Sequence, residues 1–243
     1  MKIEMFNVGW ISGSAAVWRQ GEDPEERIRF PVPAYLIETG RERILIDSGL
    51  HPSAVRDPQG YYERPEAGAF ELELEADITE QVDVTTLTHV VVTHLHFDHA
   101  GALALLPSSV PFVIQRREWE GAHDEATVRR NYLYPRDYEV LEGRDLVLVD
   151  GDHDLLGDGS VTLLLTPGHT PGHQSVKVGE RLVLAVDVAH FSATLDDKRF
   201  PAFGDDFSAQ ARSAERLRQL RDSGTNVVPG HDPDVLRPGP LAA

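Results

Sequence analysis

Residues 90–99 read Val90-Val91-Val92-Thr93-His94-Leu95-His96-Phe97-Asp98-His99, an apolar β-branched run followed at once by an H-x-H-x-D-H cluster. The run has the composition of a short buried strand. In extended backbone, residues i and i+2 project from one face, so His94 and His96 can grip a single ion together. Asp98 and His99 fall where the chain turns into the next segment and can aim at a second point nearby. Neutral imidazole and carboxylate are the usual non-thiolate ligands of zinc, and they also suit manganese, iron or cobalt. A lone histidine after a strand is more often structural or solvent-exposed. Four ligand-type side chains within six residues are seldom a coincidence.

Three further candidates stand at the ends of other apolar runs. His169 lies in Thr166-Pro167-Gly168-His169-Thr170-Pro171-Gly172-His173, Asp187 follows Leu182–Val186, and His231 lies in Pro229-Gly230-His231-Asp232. Strand ends that converge on one rim are a common way to gather a site from distant sequence.

Around these residues the chain reads as strands separated by turns and a few helices. Ala34–Glu38, Thr39-Gly40 and Arg43–Asp47 read as a hairpin. Further strands are expected at 111–114, 145–149, 161–165, 174–178, 182–186 and 226–228. Residues 100–106 are expected to form a buried helix stopped by Pro107, and 116–130 a polar helical segment. A helix over 208–221 would be N-capped by Ser208 and closed by Gly224. Residues 51–76, rich in Pro, Gly, Tyr and Glu, are expected to be a long loop, and the tail from Pro233 is expected to be loosely held. With no internal repeat and no linker, the expectation is one α/β (α+β) domain over 1–243, its helices outside packed sheets.

The bulk composition removes several classes of function. Forty acidic against 23 basic residues give a formal charge of −17, which repels nucleic-acid backbones and anionic membrane surfaces. The absence of cysteine excludes disulfides, thiolate metal ligands and a cysteine nucleophile. The opening Met1-Lys2-Ile3-Glu4 lacks the pattern of a signal peptide, and no stretch approaches the ~18 apolar residues of a membrane helix. A cytoplasmic location is therefore the default expectation.

The H-x-H-x-D-H cluster, together with His169, Asp187 and His231 at their strand ends, resembles the metallo-β-lactamase superfamily. The resemblance spans nearly the whole chain, from the hairpin ending at Asp47 to Gly230-His231. It implies an αββα sandwich of two mixed sheets with helices on the outer faces. It would place His94, His96 and His169 on one ion and Asp98, His99 and His231 on another, with Asp187 bridging both. The lack of cysteine separates the chain from lactamases with a cysteine ligand. A histidine at 96 separates it from flavodiiron reductases, and its acidity from nucleic-acid-processing members.

Within the superfamily, Gly168-His169-Thr170-Pro171-Gly172-His173-Gln174-Ser175, Pro229-Gly230-His231-Asp232, and Pro33–Ile37 leading into Ile46-Asp47-Ser48-Gly49 are similar to N-acyl homoserine lactone lactonases. The resemblance implies two divalent ions per chain, zinc before manganese, iron or cobalt, and a small lactone or ester as substrate. It implies quorum quenching by attack of a metal-bridging hydroxide on the lactone carbonyl, with Asp98 relaying a proton to the leaving alkoxide. Other hydrolases of this fold stand as alternatives: a glyoxalase-type thioesterase, or an aryl esterase or phosphotriesterase. An iron-dependent sulfur dioxygenase, typically working at one ion, is more distant.

One position departs from the lactonase pattern. Many of those enzymes carry a tyrosine three residues after the bridging aspartate, where this chain has His190. Histidine can also donate a hydrogen bond to a substrate carbonyl; otherwise His190 is a supporting or surface residue. His173 and Asp47 are expected to support ligands, and Asp150–Asp154 to form a solvated turn. Trp10, Trp18, Phe30, Tyr61, Tyr62 and Phe70 are candidates either for an acyl pocket or for core packing. The 51–76 segment, with its aromatics, also offers a surface for a homodimer.

Overall fold

Period-two alternation of apolar side chains builds the two sheets of this protein, whose computed structural model describes residues 1–242. The first half supplies β1 (Lys2–Ser14), β2 (Arg27–Glu38), β3 (Arg43–Ile46), β4 (Glu71–Glu73), β5 (His89–Val91), β6 (Phe112–Gln115) and β7 (Leu146–Val149). The second half supplies β8 (His153–Asp154), β9 (Val161–Leu165), β10 (Gln174–Val178), β11 (Leu182–Val186), β12 (Asn226–Pro229) and β13 (Gly239–Leu241). The first sheet runs β13-β1-β2-β3-β5-β6-β7 with β4 also paired to β1, and the second runs β12-β11-β10-β9-β8.

Alternate residues of each strand serve different layers. Tyr35, Ile37, Ile44, Ile46, Val91 and Val113 of the first sheet pack against Val161, Leu163, Val176, Leu182 and Leu184 of the second. Their neighbours Ala34, Leu36, Leu45, Val90 and Phe112 turn outward into a second core, beneath helical segments that contribute Ala54, Phe97 and Tyr138. On the far side, Leu164, Val183 and Ala185 meet Ala214 and Leu217 of the helix Phe207–Asp222. The result is an αββα sandwich. Because β11 is covered on both faces, all five of its residues are buried and apolar, and no polar alternation survives in its sequence.

Strand polarity fixes where the segments carrying the candidate ligands emerge. β3, β5, β6 and β7 are parallel, so Asp47 and Thr93 leave the first sheet at one edge. β11 and β12 are also parallel, with Val186 opposite Pro229, so Asp187 and His231 emerge side by side. β10 is antiparallel to β11, which brings the 166–173 turn to the same edge. Gln174 ties the two rims together: its backbone N–H donates to the Thr93 carbonyl at 3.1 Å and its Nε2 to the Val92 carbonyl at 2.9 Å.

Several local expectations are corrected. The long first strand β1 was not foreseen, because Gly9, Gly13 and a register shift between Asn7 and Trp10 interrupt its alternation. Residues 51–76 are not a plain loop but hold two short helices (Pro52–Arg56, Pro58–Tyr62), a 3₁₀ turn and β4. The helix expected over 100–106 is only the turn Phe97–Ala100 followed by a 3₁₀ turn at Leu103–Leu105. There the Ala102 N–H bonds the Gly49 carbonyl and Ser48 Oγ rather than its own helix. The last helix is capped by Asp206, not Ser208: its carboxylate accepts from the N–H groups of Ser208 and Ala209 at 2.8 and 3.0 Å. The C-terminal segment is held as well, since β13 pairs with β1, covering a strand edge that would otherwise be open. Among the described residues, no helix is long and apolar enough to cross a membrane.

Candidate metal centre

Seven side chains from four separate stretches of the sequence meet at the rim shared by the two sheets. His94, His96, His169 and Asp187 form one group of ligand atoms within 4.8 Å of one another, and Asp98, His99 and His231 form a second. All are buried. The two Asp187 oxygens divide between the groups. Oδ2 lies 3.1 Å from His169 Nε2 and 3.6 Å from His94 Nε2, while Oδ1 lies 3.3 Å from His99 Nε2 and 3.1 Å from His231 Nε2. Asp98 Oδ2 stands 3.6 and 3.5 Å from the same two nitrogens of His99 and His231.

The backbone is bent to achieve this aim. Val186 adopts φ 52°, a left-handed conformation that a β-branched residue takes only under tertiary constraint, and it is the residue that turns Asp187 off the end of β11. Opposite, a Cβ on Gly230 would lie 2.7 Å from the Val186 carbonyl and 3.0 Å from Asp187 Oδ1, so only glycine fits there.

Outer partners fix which nitrogen of the His96, His99 and His231 rings faces inward. His96 Nε2 bonds the Asn131 carbonyl at 2.7 Å, leaving Nδ1 to the site. His99 Nδ1 donates to Asp47 Oδ2 at 2.8 Å and His231 Nδ1 to the Pro31 carbonyl at 2.9 Å, leaving both Nε2 atoms inward. Asp47 is in turn held by the Thr93 N–H and hydroxyl at 2.8 and 2.7 Å. His173 sits behind the site, where its Nε2 accepts from the Asp187 N–H at 3.1 Å. Gln210 Nε2 donates to the Asp187 carbonyl at 3.1 Å. The Asn131 and Pro31 carbonyls and Gln210 were beyond sequence reasoning, because a main-chain acceptor carries no residue signature.

The donor set fits divalent cations. His99 Nε2, His231 Nε2 and Asp187 Oδ1 are buried with no hydrogen-bond partner, an arrangement that costs free energy unless something positive fills it. His96 Nδ1 faces both His94 Nε2 (3.0 Å) and His169 Nε2 (2.9 Å). One in-plane lone pair cannot satisfy two neighbours as hydrogen bonds, whereas a cation satisfies all three nitrogens.

Charge differs between the two groups. Burial lowers His94 well below the ordinary imidazole value, His96 to about 4 and His169 to about 3, so these rings are neutral and ready to ligate at pH 7. Burial opposes charge on His99 and His231 too, but Asp187 and Asp98 outweigh it at both, with Asp47 adding to them at His99, and both are raised. Without a cation those two rings favour protonation more than a free imidazole does, so an incoming ion competes there with protons as the pH falls. Acidification from pH 8 to 6 should therefore weaken uptake at the Asp98/His99/His231 group more than at the three-histidine group. Metal counted per chain after dialysis at each pH checks this; earlier loss from the three-histidine group would contradict it.

A profile of the metallo-beta-lactamase superfamily matches residues 27–231. The chain belongs to that superfamily. Among its members, the N-acyl homoserine lactonase AttM of Azorhizobium caulinodans is 31% identical over 97% of this chain and 90% of its own length. An N-acyl homoserine lactonase of Bacillus cereus is 31% identical over 86% of this chain and 84% of its own. A solved N-acyl homoserine lactone hydrolase, with the product N-hexanoyl-L-homoserine at its catalytic metal centre, superposes with a TM-score of 0.83. It is 25% identical, over 96% of this chain and 94% of that one.

Above these side chains lies a cavity of about 480 Å³ with His96, Asp98 and Asp187 on its floor. Trp18, Phe70, Phe97, Tyr134 and Phe203 form much of its wall. Of the aromatics singled out in the sequence, only Trp18 and Phe70 line this cavity. Phe30 is core, 4.8 Å from the Trp18 ring, and Trp10 lies under the Arg29 guanidinium at 3.9 Å. Tyr62 backs the wall by stacking on Tyr134 at 4.2 Å, and Tyr61 stacks on His51 at 4.7 Å. Phe203, which packs edge-on to the His96 ring at 5.7 Å, had no sequence signal. His190 is buried beside the cluster, with ring centroids 5.2 Å from both His169 and His231. Its Nε2 is 3.2 Å from Asp187 Oδ2, and neither ring nitrogen has a hydrogen-bond partner. Asp154 accepts from the N–H groups of Gly157 and Gly159 at 3.0 and 2.8 Å, as an exposed turn does, and takes no part in the site.

Proposed function

We propose that this metal-dependent hydrolase opens the lactone ring of N-acyl homoserine lactones, using two divalent ions, zinc foremost. In this reading His94, His96 and His169 hold one ion, Asp98, His99 and His231 hold the other, and Asp187 joins them. The observation that carries it is the division of the two Asp187 oxygens between separate histidine groups, at the floor of an apolar cavity. When bound, such an ion pair supplies a water acidic enough to be deprotonated near neutral pH and polarises the carbonyl under attack.

The chain's own residues do the rest. The aromatic wall takes the acyl chain and keeps bulk water from the floor. Asp98, which borders the cavity as well as its ligand group, holds a proton at its carboxylate and returns it to the ring oxygen as the ester bond breaks. His190 donates a hydrogen bond to the carbonyl oxygen as charge builds there, the role expected of the tyrosine it replaces.

A panel of homoserine lactones with acyl chains of increasing length, a glyoxalase-type thioester and an aryl phosphotriester, assayed on protein with counted metal, tests the reading. The lactones should be the best substrates. Their kcat/KM should rise up to about fourfold per added methylene, the equivalent of ~0.8 kcal/mol, until the cavity is full. Efficient thioester or phosphotriester turnover with inert lactones would overturn it.

A further inference from the structure

Glu118 takes part in no ligand group and does not line the cavity, yet it is fully buried, in the short helix Arg116–Gly121 that follows β6. Its Oε1 accepts the Leu95 N–H at 3.0 Å and its Oε2 accepts the Gly172 N–H at 2.8 Å. Leu95 stands between His94 and His96, and Gly172 belongs to the turn that carries His169. One carboxylate therefore spans the two chain segments that supply all three histidines of the first group. The approach is close: a Cβ on Gly172 would lie 2.2 Å from the Glu118 nitrogen, so that position admits only glycine.

We infer that Glu118 is a positioning residue that sets the spacing of His94 and His96 against His169. The two N–H groups meet different oxygens of the side chain, and of the side chains of this length only glutamate offers two acceptor oxygens, glutamine presenting an N–H₂ to one of them. Burial pushes the Glu118 carboxyl up to about 7, so the fold tolerates an unfavourable burial to keep this span. The second group has no equivalent. His99 is braced by Asp47 and His231 by the Pro31 carbonyl, and neither brace reaches Glu118. Glu118 should thus govern one ion and not the other.

The inference rests on the two-ion reading, and the test separates the two. Apo-protein is titrated with Zn²⁺ against a chromophoric chelator at pH 8 and the retained metal counted after dialysis. Glu118→Gln turns one acceptor into an amide that opposes an N–H, and should weaken one ion by about 10–100-fold while leaving the other unchanged. Adding His231→Ala to Glu118→Gln should then empty the chain, whereas adding His169→Ala should cost no further metal, which assigns the weakened ion to the three-histidine group. Leu217→Ala, in the core beneath the last helix, lowers thermal stability without touching this span and should keep both ions; Glu118→Ala repeats the measurement if the glutamine variant does not fold.

Wild-type affinity for both ions in a folded Glu118 variant, or equal weakening of both, would overturn the inference. So would equal metal loss in Leu217→Ala. A wild-type chain that takes up only one ion would overturn the two-ion reading instead. Glu118 would then stand if its variants weaken that ion at the three histidines, and fall if they do not.

Discussion

Asp187→Asn should leave a chain that retains at most one divalent ion and opens homoserine lactones at least roughly 10³-fold more slowly. The substitution keeps the shape of the side chain and removes one anionic oxygen. In the native chain one oxygen faces His94 and His169 and the other faces His99 and His231. An asparagine can offer its carbonyl to only one of these groups and must point an N–H₂ at the other, which repels a cation. After burial, the charge lost is also the largest influence on His99 and His231. Several histidines hold the Asp187 carboxyl well below the usual carboxylate range against the opposing effect of burial, and Asp187 in turn raises His99 and His231. Metal per chain and kcat/KM should fall together. A variant with two ions and full activity would remove Asp187 from the mechanism.

His190→Phe should behave differently: both ions retained, with kcat/KM for lactones lowered by about 10²–10³-fold, the usual effect of removing one donor from a developing oxyanion. Phenylalanine fills nearly the same space against Trp18, His169 and His231, so the pocket should persist. The distinguishing readout is metal content beside kinetics. If His190 serves instead as a ligand, the substitution would strip an ion. If it only packs, the kinetics would not move.

The residues that meet at the site were legible in the sequence because metal chemistry draws on few residue types and strand geometry restricts their spacing. His94 and His96 share a face by simple alternation. Asp187 and His231 could be paired only because each follows an apolar run, and the parallel register of β11 and β12 explains why those runs end together. Helices outside packed sheets followed from the apolar runs, Leu182–Val186 being apolar throughout because it is covered on both faces, whereas the αββα arrangement came from the resemblance. What stayed hidden depends on contacts between distant backbone atoms. The Asn131 and Pro31 carbonyls orient the His96 and His231 rings without leaving any trace in residue identity. Glu118 sits in a stretch, Arg116-Arg117-Glu118-Trp119-Glu120, whose charges look like an ordinary solvated helix face, yet it is buried. Residues 100–106 have helical composition but do not form one continuous α-helix, because Gly49 and Ser48 take the hydrogen bond of the Ala102 N–H.

Anomalous diffraction at the zinc edge, on crystals grown with Zn²⁺, addresses the central claim directly. The account predicts two peaks about 3.5–4 Å apart, one among His94, His96 and His169 and the other among Asp98, His99 and His231, with a carboxylate oxygen of Asp187 on each. A single peak, or two peaks with Asp187 turned away from both, would contradict it.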